Sequence, residues 1–148
     1  MPIRSASATW KGDLPSGTGE LQAASGNVSG DYSFGSRFEE AKGTNPEELL
    51  AAAEAGCFSM ALANSLAKAG HKATQVTTTA KVHLDKGDAG FSITKIVLTT
   101  EAEVPGIDDA TFQTLAGETK TGCPVGKALS VPIELTATLT LPGSPARF

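Results

Sequence analysis

Residues 45–70, NPEELLAAAEAGCFSMALANSLAKAG, carry the start and stop signals of one long helix. Asn45 is a good N-cap, and Pro46 suits the first helical position. Gly70 takes the place of a left-handed C-cap. Ala and Leu dominate the stretch and none of its residues is β-branched, which favours helix. We therefore predict a helix over residues 46–69, about 36 Å long at roughly 1.5 Å per residue.

The composition of this helix predicts that it is covered on more than one side. Only Glu54 and Ser59 are polar among residues 49–63, and a helix that is apolar all round is buried all round. The run is shorter than the roughly 20 residues of a membrane span, so we expect no crossing of a membrane. We expect a sheet on one side and a second copy of the chain on the other, with Met60 in the core. Glu54 should be paired or lie at an exposed edge, because an isolated buried charge is costly.

The bulk composition fits one globular domain over residues 1–148. Hydrophobic residues make up 40% and charged residues 19%, as in an ordinary globular protein. The net charge is −4 without a basic cluster, which argues against nucleic acid and anionic membrane surfaces as partners. The segment MPIRSASATW lacks the apolar region of a signal peptide, so we expect a cytoplasmic protein with reduced thiols.

The other segments predict an α+β fold. Its elements are, in chain order, short strands within residues 3–34, a charged connection over 36–44, the long helix, strands over 75–84 and 91–103, helices over 107–121 and 125–129, and a strand over 132–141. The connections are hairpins and helical crossovers without repeated βαβ units. We predict a mostly antiparallel sheet packed on the long central helix.

The two cysteines, Cys57 and Cys123, are the candidates for chemistry. A reducing compartment favours a chemical role over a structural disulfide, while a pair of buried inert thiols is the alternative. Cys123 precedes Pro124, the predicted start of a helix, where the helix dipole favours a thiolate. Cys57 is in mid-helix among apolar residues, where burial raises the pKa of a thiol. Local physics alone therefore predicts Cys123 as the nucleophile, and Cys57 needs a cation brought to it.

The remaining motifs predict neither a metal nor a bound cofactor. His71 and His83 do not combine with the cysteines at the spacing of a zinc site, and we expect both at the surface. The sequence contains no phosphate-binding loop, no dinucleotide fingerprint and no G-x-S-x-G.

Several separated segments resemble the motifs of the OsmC/Ohr family of thiol peroxidases. They are RFE at 37–39, GTNPEEL at 43–49, AGCFSMAL at 55–62 and GCPV at 122–125. FSITKI at 91–96 and VPGI at 104–107 are similar to the OsmC (osmotically inducible protein C) branch in particular. The similarity extends over nearly the whole chain.

This resemblance implies a thiol-dependent peroxidase that reduces organic hydroperoxides, and an intertwined homodimer with its active sites at the subunit interface. By position, Cys57 resembles the peroxidatic cysteine and Cys123 the resolving one. Arg37 and Glu47 resemble the polar pair that activates the thiolate. The family implies an external dithiol as reductant, either a small molecule of the dihydrolipoyl type or a lipoylated protein, and no bound cofactor.

The implied roles agree with the chemistry of the side chains. Cys57 would attack the O–O bond and become a sulfenic acid, which Cys123 converts to a Cys57–Cys123 disulfide. Arg37 supplies the cation that Cys57 lacks, and Glu47 can hold its guanidinium by a bidentate pair. Glu47 and Cys57 are ten residues apart on the predicted helix, about 15 Å along its axis. Either Arg37 spans part of this gap or Glu47 serves the partner's Cys57, and we favour the second.

Other interpretations of the same residues remain open. The chain could be a dimeric binding module for an apolar ligand with incidental thiols, or the cysteines could form a structural disulfide in an oxidising compartment. Arg37 could be a loop arginine paired with Glu39 or Glu40. Glu47 could merely satisfy the helix N-terminus.

Overall fold

The computed structural model describes residues 1–145 and has two compact units, one formed by residues 1–49 and the other by residues 50–145. The elements in chain order are β1 (Ala6–Lys11), β2 (Thr18–Ala23), β3 (Ser29–Ser33), α1 (Phe34–Phe38), α2 (Pro46–Lys68), β4 (Gln75–Gly87), β5 (Gly90–Glu103), α3 (Asp109–Gly122), α4 (Pro124–Ala128) and β6 (Ile133–Leu139). The fold is α+β, as predicted. A single domain over residues 1–148 stays a prediction.

The first unit is built on the antiparallel sheet β1-β2-β3. Gly19 of β2 is opposite Trp10 on one side and Tyr32 on the other, and the centroids of the two rings are 5.4 Å apart. A Cβ at Gly19 would lie 2.5 Å from the Tyr32 ring, so only glycine allows the two rings to approach across this strand.

The charged connection predicted over residues 36–44 begins with a short helix that the sequence analysis missed. Ser33 and Ser36 form a reciprocal capping box at the start of α1. The Ser36 hydroxyl also donates to the Thr44 carbonyl over 2.9 Å, and the Asn45 amide donates to the Ser36 carbonyl over 3.3 Å. These bonds hold α1 against the residues that lead into α2.

The long helix is confirmed and ends one residue earlier than predicted. Asn45 caps its start, since its side-chain oxygen accepts the Glu48 backbone N–H over 2.8 Å. Its end is a Schellman motif, in which the His71 N–H donates to the Leu66 carbonyl and Gly70 has φ +87°. The residue pattern of 45–70 therefore specified both ends of α2.

The second unit contains the sheet β4-β5-β6. β4 and β5 form an antiparallel hairpin whose last paired residues are Gly87 and Gly90, so its turn consists of two residues. β5 and β6 are parallel. The chain returns from β5 through α3 and α4, and such a helical crossover brings the next strand back in the same direction. The sequence analysis did not predict this parallel pair.

The core of the second unit joins α2 to the sheet and to α3. Ser59 on α2 donates to the Thr78 hydroxyl over 2.8 Å, and Thr78 is in turn hydrogen-bonded to the Thr100 hydroxyl over 2.9 Å. The apolar cluster consists of Phe58, Leu62, Leu66, Ile96, Leu98, Ala102, Val104, Phe112 and Ala116. One face of α2 is therefore buried by its own chain.

The opposite face of α2 is exposed in the single chain. Met60 is 78% exposed, so its predicted place in the core is wrong for the isolated chain. By length and composition alone α2 could cross a membrane, with a mean hydropathy of 1.3 over its most apolar window. That is weak evidence, because the core helix of a soluble protein meets the same criterion. Only 22% of this window is buried, which leaves an apolar surface uncovered.

Truncation of the buried face of α2 should destabilise the protein strongly. Leu62 is fully buried, so we expect Leu62→Ala to lower the free energy of unfolding by about 2–5 kcal/mol through lost burial and a residual cavity. Urea unfolding followed by circular dichroism measures this loss. Leu141→Ala removes the same atoms from a side chain that is 79% exposed, and serves as the control. Equal stability of the two variants would contradict the assigned core.

Candidate active site

The structure brings the two cysteines into contact across 66 positions of sequence. Cys57 is in the middle of α2, and Cys123 is the residue that joins the end of α3 to the start of α4. Their Sγ atoms are 2.8 Å apart and both thiols are free. A disulfide requires about 2.05 Å, so a small side-chain movement is enough to form it.

The environment of Cys123 favours the thiol over the thiolate. Burial is the largest cause that raises the pKa of Cys123, to about 11, and the hydrogen bond with Cys57 and the charge of Glu54 act in the same direction. The backbone N–H groups of Gly126 and Val125, at the start of α4, lower it by less. The helix-terminal position of Cys123 is thus confirmed, but the expectation that it keeps this residue partly thiolate is wrong.

Cys57 is the more accessible of the two sulfur positions. It is half-buried, whereas Cys123 is fully buried. Phe58, the next residue on α2, is fully buried in the core and fixes the rotation of the helix at this point. A molecule arriving from solvent therefore reaches Cys57 before Cys123, in contrast to the choice that local helix electrostatics predicts.

A buried carboxyl group lies beside the cysteine pair. Glu54 is 1% exposed, and its Oε2 is 4.0 Å from the Cys123 Sγ. Its Oε1 has no hydrogen-bond partner among residues 1–145. The expectation that Glu54 is ion-paired or exposed is wrong. Burial raises the pKa of Glu54, and the contact with the Cys123 thiol partly opposes this shift.

The absence of a side chain at Gly126 allows this carboxyl group to be buried. A Cβ at this position of α4 would lie 3.1 Å from the Glu54 Oε1, closer than nine in ten real Cβ contacts. Gly126 thus leaves room for Glu54 next to Cys123.

Arg37 and Glu47, the other two residues singled out by sequence, form an ion pair in the first unit. The Arg37 Nη2 is 2.9 Å from the Glu47 Oε1, and its Nε is 3.2 and 3.3 Å from the two carboxylate oxygens. Arg37 extends from α1, with its guanidinium 5.1 Å from the centroid of the Phe38 ring. Glu47 is in the first turn of α2 and is 8% exposed. The predicted pairing of Arg37 with Glu47 is confirmed.

The structure thus contains two pairs, one of thiols and one of opposite charges, each within a single unit. Residues 1–145 contain no group of three or more His, Cys, Asp or Glu side chains that could hold a metal ion. What the thiol pair can do chemically is exchange two electrons through a disulfide.

Two free thiols in contact on an α+β fold are the arrangement of a dithiol redox protein. The family model described as OsmC-like protein matches residues 39–137. Peroxiredoxin OsmC of Escherichia coli (strain K12) is 51% identical over 129 residues, which are 86% of this chain and 90% of that protein. The chain belongs to the OsmC family.

Two further comparisons agree with this membership. An organic hydroperoxide resistance protein of Xanthomonas axonopodis pv. citri (strain 306) is 36% identical over 98 residues, which are 66% of this chain and 67% of that protein. The solved structure of an organic hydroperoxide resistance protein from Elizabethkingia anophelis superposes with a TM-score of 0.69 at 26% identity. This superposition covers 94% of this chain and 97% of the other.

Sequence reasoning assigned no role to two residues that position these pairs. Glu54 was visible as a charge inside an apolar helical run, but its proximity to Cys123 depends on a contact 69 positions away. Ser36 holds α1 and gave no signal beyond its place near Arg37. The one available signal was the place of Glu54 in the apolar run, four residues before Phe58, which is the spacing of one helix face.

The two thiols should differ sharply in alkylation. In the reduced protein at pH 7 we expect iodoacetamide to modify Cys57 before Cys123, because Cys123 is fully buried and its raised pKa, about 11, keeps it in the thiol form. Peptide mass spectrometry measures both rates. In Cys57→Ser, alkylation of Cys123 should keep rising above pH 8. Equal modification of the two thiols at pH 7 would contradict this environment.

Proposed function

We propose that this protein is a thiol-dependent peroxidase that reduces organic hydroperoxides to alcohols. The observation that carries the proposal is the 2.8 Å contact between the sulfur atoms of Cys57 and Cys123. Relatives named peroxiredoxin and organic hydroperoxide resistance protein support the same activity. The thiols themselves carry the electrons, so the cycle needs no bound cofactor.

Cys57 is the peroxidatic residue in this proposal. Its thiolate attacks one oxygen of the hydroperoxide and the O–O bond breaks. The alkoxide leaves, takes a proton and becomes the alcohol, while Cys57 becomes a sulfenic acid. The half-buried position of Cys57 supports this role, because the substrate must reach the attacking sulfur.

Cys123 is the resolving residue. Its sulfur attacks the Cys57 sulfenic acid, water leaves and the Cys57–Cys123 disulfide forms. An external dithiol then reduces this disulfide and is itself oxidised. A dihydrolipoyl-type small molecule or a lipoylated protein suits this step, because two adjacent thiols on one reductant can complete the exchange.

Arg37 and Glu47 activate the Cys57 thiolate. Within residues 1–145, Arg37 donates hydrogen bonds through Nε and Nη2, which leaves Nη1 for the thiolate or a peroxide oxygen. Glu47 fixes the plane of the guanidinium by accepting from both of those nitrogens. A cation of fixed orientation stabilises the thiolate more effectively than a mobile one.

The protein acts as a homodimer, and the exposed face of α2 supports this part of the proposal. This face is formed by small and apolar residues, and Met60 at its centre is 78% exposed. A second copy of the chain would remove this surface from water, which is the usual driving force of such association. The cytoplasm, where thiols are kept reduced, suits a dithiol cycle of this kind.

Glu47 serves the partner subunit in this dimer. Glu47 is in the first turn of α2 and Cys57 is ten residues further along, about 15 Å at the helical rise. This separation exceeds the reach of a glutamate side chain. The Arg37–Glu47 pair would therefore complete the site around the partner's Cys57.

The peroxidase cycle predicts distinct effects of the two cysteines. With tert-butyl hydroperoxide and a dithiol, we expect turnover by the wild type and none by Cys57→Ser, which lacks the attacking sulfur. Cys123→Ser should still form a sulfenic acid, which the reagent dimedone traps. Peroxide consumption and intact mass measure these outcomes. Loss of the first oxidation step in Cys123→Ser alone would reverse the two roles, and full activity of both variants would refute the proposed function.

Mixed dimers test whether Glu47 acts across the interface. Glu47→Ala and Cys57→Ser chains, each inactive alone, are combined with different affinity tags and the heterodimer is isolated. If Glu47 serves the partner's Cys57, one site of the heterodimer carries both changes and the other is intact. We therefore expect peroxidase activity to return. A heterodimer that stays as inactive as its parents would place Glu47 within its own subunit.

A further inference from the structure

We propose that Glu54 is the general base that takes the proton from Cys123 when this residue attacks the Cys57 sulfenic acid. The step belongs to the second half of the peroxidase cycle, so the assignment rests on the proposed function. Glu54 touches a reacting atom, with its Oε2 4.0 Å from the Cys123 Sγ. It is a different carboxylate from Glu47, which binds Arg37.

The buried position of Glu54 destabilises the folded state, which is unusual for a carboxyl group without a function. The side chain is 1% exposed, and its Oε1 has no hydrogen-bond partner in the described part of the chain. Leaving a buried polar atom without a hydrogen bond destabilises the folded state, and more so for a charged group. An apolar residue at this position of α2 would avoid that cost. One carboxyl oxygen instead lies 4.0 Å from the Cys123 sulfur, and the other would lie 3.1 Å from a Cβ at Gly126.

Cys123 needs such a base because its surroundings disfavour the ionised thiolate. Burial, the hydrogen bond with Cys57 and the charge of Glu54 together raise the pKa of Cys123 to about 11, and the N–H groups of α4 do not compensate. The attacking species in disulfide formation is the thiolate. A proton acceptor in contact with the thiol removes this obstacle during the attack itself, without requiring a stable thiolate beforehand.

The proton and electron balance of the step is complete. The Cys123 S–H bond breaks and its proton moves to the Glu54 carboxylate, as the Cys123 sulfur forms a bond to the Cys57 sulfur. The S–O bond of the sulfenic acid breaks and hydroxide leaves with the electron pair. The hydroxide takes the proton from Glu54, and water and a carboxylate result. The Cys57 sulfur is reduced from the sulfenic acid to the disulfide level, and the Cys123 sulfur is oxidised from the thiol to the disulfide level.

Burial and the contact with the Cys123 thiol are the two causes that shift the pKa of Glu54. From the α3–α4 junction the group that faces Glu54 is the Cys123 thiol, and from α4 the neighbour is the backbone of Gly126. On α2 itself the nearest titratable side chain toward the site is Cys57, which is in contact with Cys123. Burial raises the pKa of Glu54, which makes it a stronger base for a thiol.

The test separates the two chemical steps in Glu54→Gln, with Glu118→Gln as the control. Glu118 is an exposed glutamate of α3 and undergoes the same change of charge. The reduced homodimer receives one equivalent of tert-butyl hydroperoxide per chain. Dimedone trapping gives the rate of sulfenic acid formation, and thiol counting gives the rate of disulfide formation. In Glu54→Gln we expect the first rate to stay within about twofold of wild type and the second to fall by about 10²-fold.

The pH dependence distinguishes a base from a structural role. In wild type and Glu118→Gln, the rate of disulfide formation should be flat across neutral pH. In Glu54→Gln it should rise tenfold per pH unit toward the pKa of Cys123, because hydroxide must then remove the proton. Glu54→Leu, which replaces the buried carboxyl with an apolar side chain, should fold and show the same rising profile.

Three results would overturn the assignment. They are a wild-type rate in Glu54→Gln, a slower rate with an unchanged flat profile, and an equal loss of both chemical steps. A second measurement is independent of peroxidase activity. Cys57 is converted to its mixed disulfide with thionitrobenzoate, and the attack of Cys123 releases the coloured thiol. The same pH contrast is expected there, so a failure of the peroxidase proposal and a failure of the base assignment give different results.

Discussion

The burial of one row of side chains on α2 is the constraint on which the second unit depends. Glu54, Phe58, Leu62 and Leu66 follow one another at intervals of four residues, which places them on one line of the helix. None is more than 1% exposed. The apolar members fix the rotation of α2 against the core that β5 and α3 complete. Because Cys57 precedes Phe58, the same rotation places its sulfur beside that of Cys123.

Burial has opposite consequences at the two ends of this row. Toward Leu66 it stabilises the fold through apolar contacts. Toward Glu54 it disfavours charge, and it raises the pKa values of both Glu54 and Cys123. Both groups therefore hold their protons more tightly than the same side chains do in water. The chemistry of the thiol pair is thus a product of the packing that holds the helix, and the helix dipole plays a smaller part.

The parts of the fold that depend on local signals were predictable from the sequence. Asn45, Pro46 and Gly70 specify the ends of α2, and the alternation of residues 91–103 specifies β5. The parallel pairing of β5 with β6 was not predictable, because it depends on the direction in which a crossover returns. The short helix α1 was missed because its capping serines resemble ordinary loop residues.

The candidate site shows the same division. Family motifs identified Cys57, Cys123, Arg37 and Glu47, and the structure contains the thiol contact and the ion pair. The helix dipole alone favoured a thiolate at Cys123 and predicted this residue as the nucleophile. The full burial of Cys123, which depends on contacts distant in sequence, instead raises its pKa. Glu54 was expected to be paired or at an exposed edge, because an isolated buried charge is costly, but it is buried beside Cys123.

The place of Cys123 at the junction of α3 and α4 also makes the stability of the protein depend on its redox state. A disulfide between Cys123 and Cys57 closes a loop across 66 positions of sequence. It ties the middle of α2 to the junction of α3 and α4. Such a loop removes about 4 kcal/mol of conformational freedom from the unfolded chain in the chain-entropy account. The oxidised molecule would then be the harder one to melt, and each catalytic cycle would alternately raise and lower the stability of the second unit. The disulfide form, which waits for its reductant, would then unfold less often and be cut less readily by proteases that act on the unfolded chain.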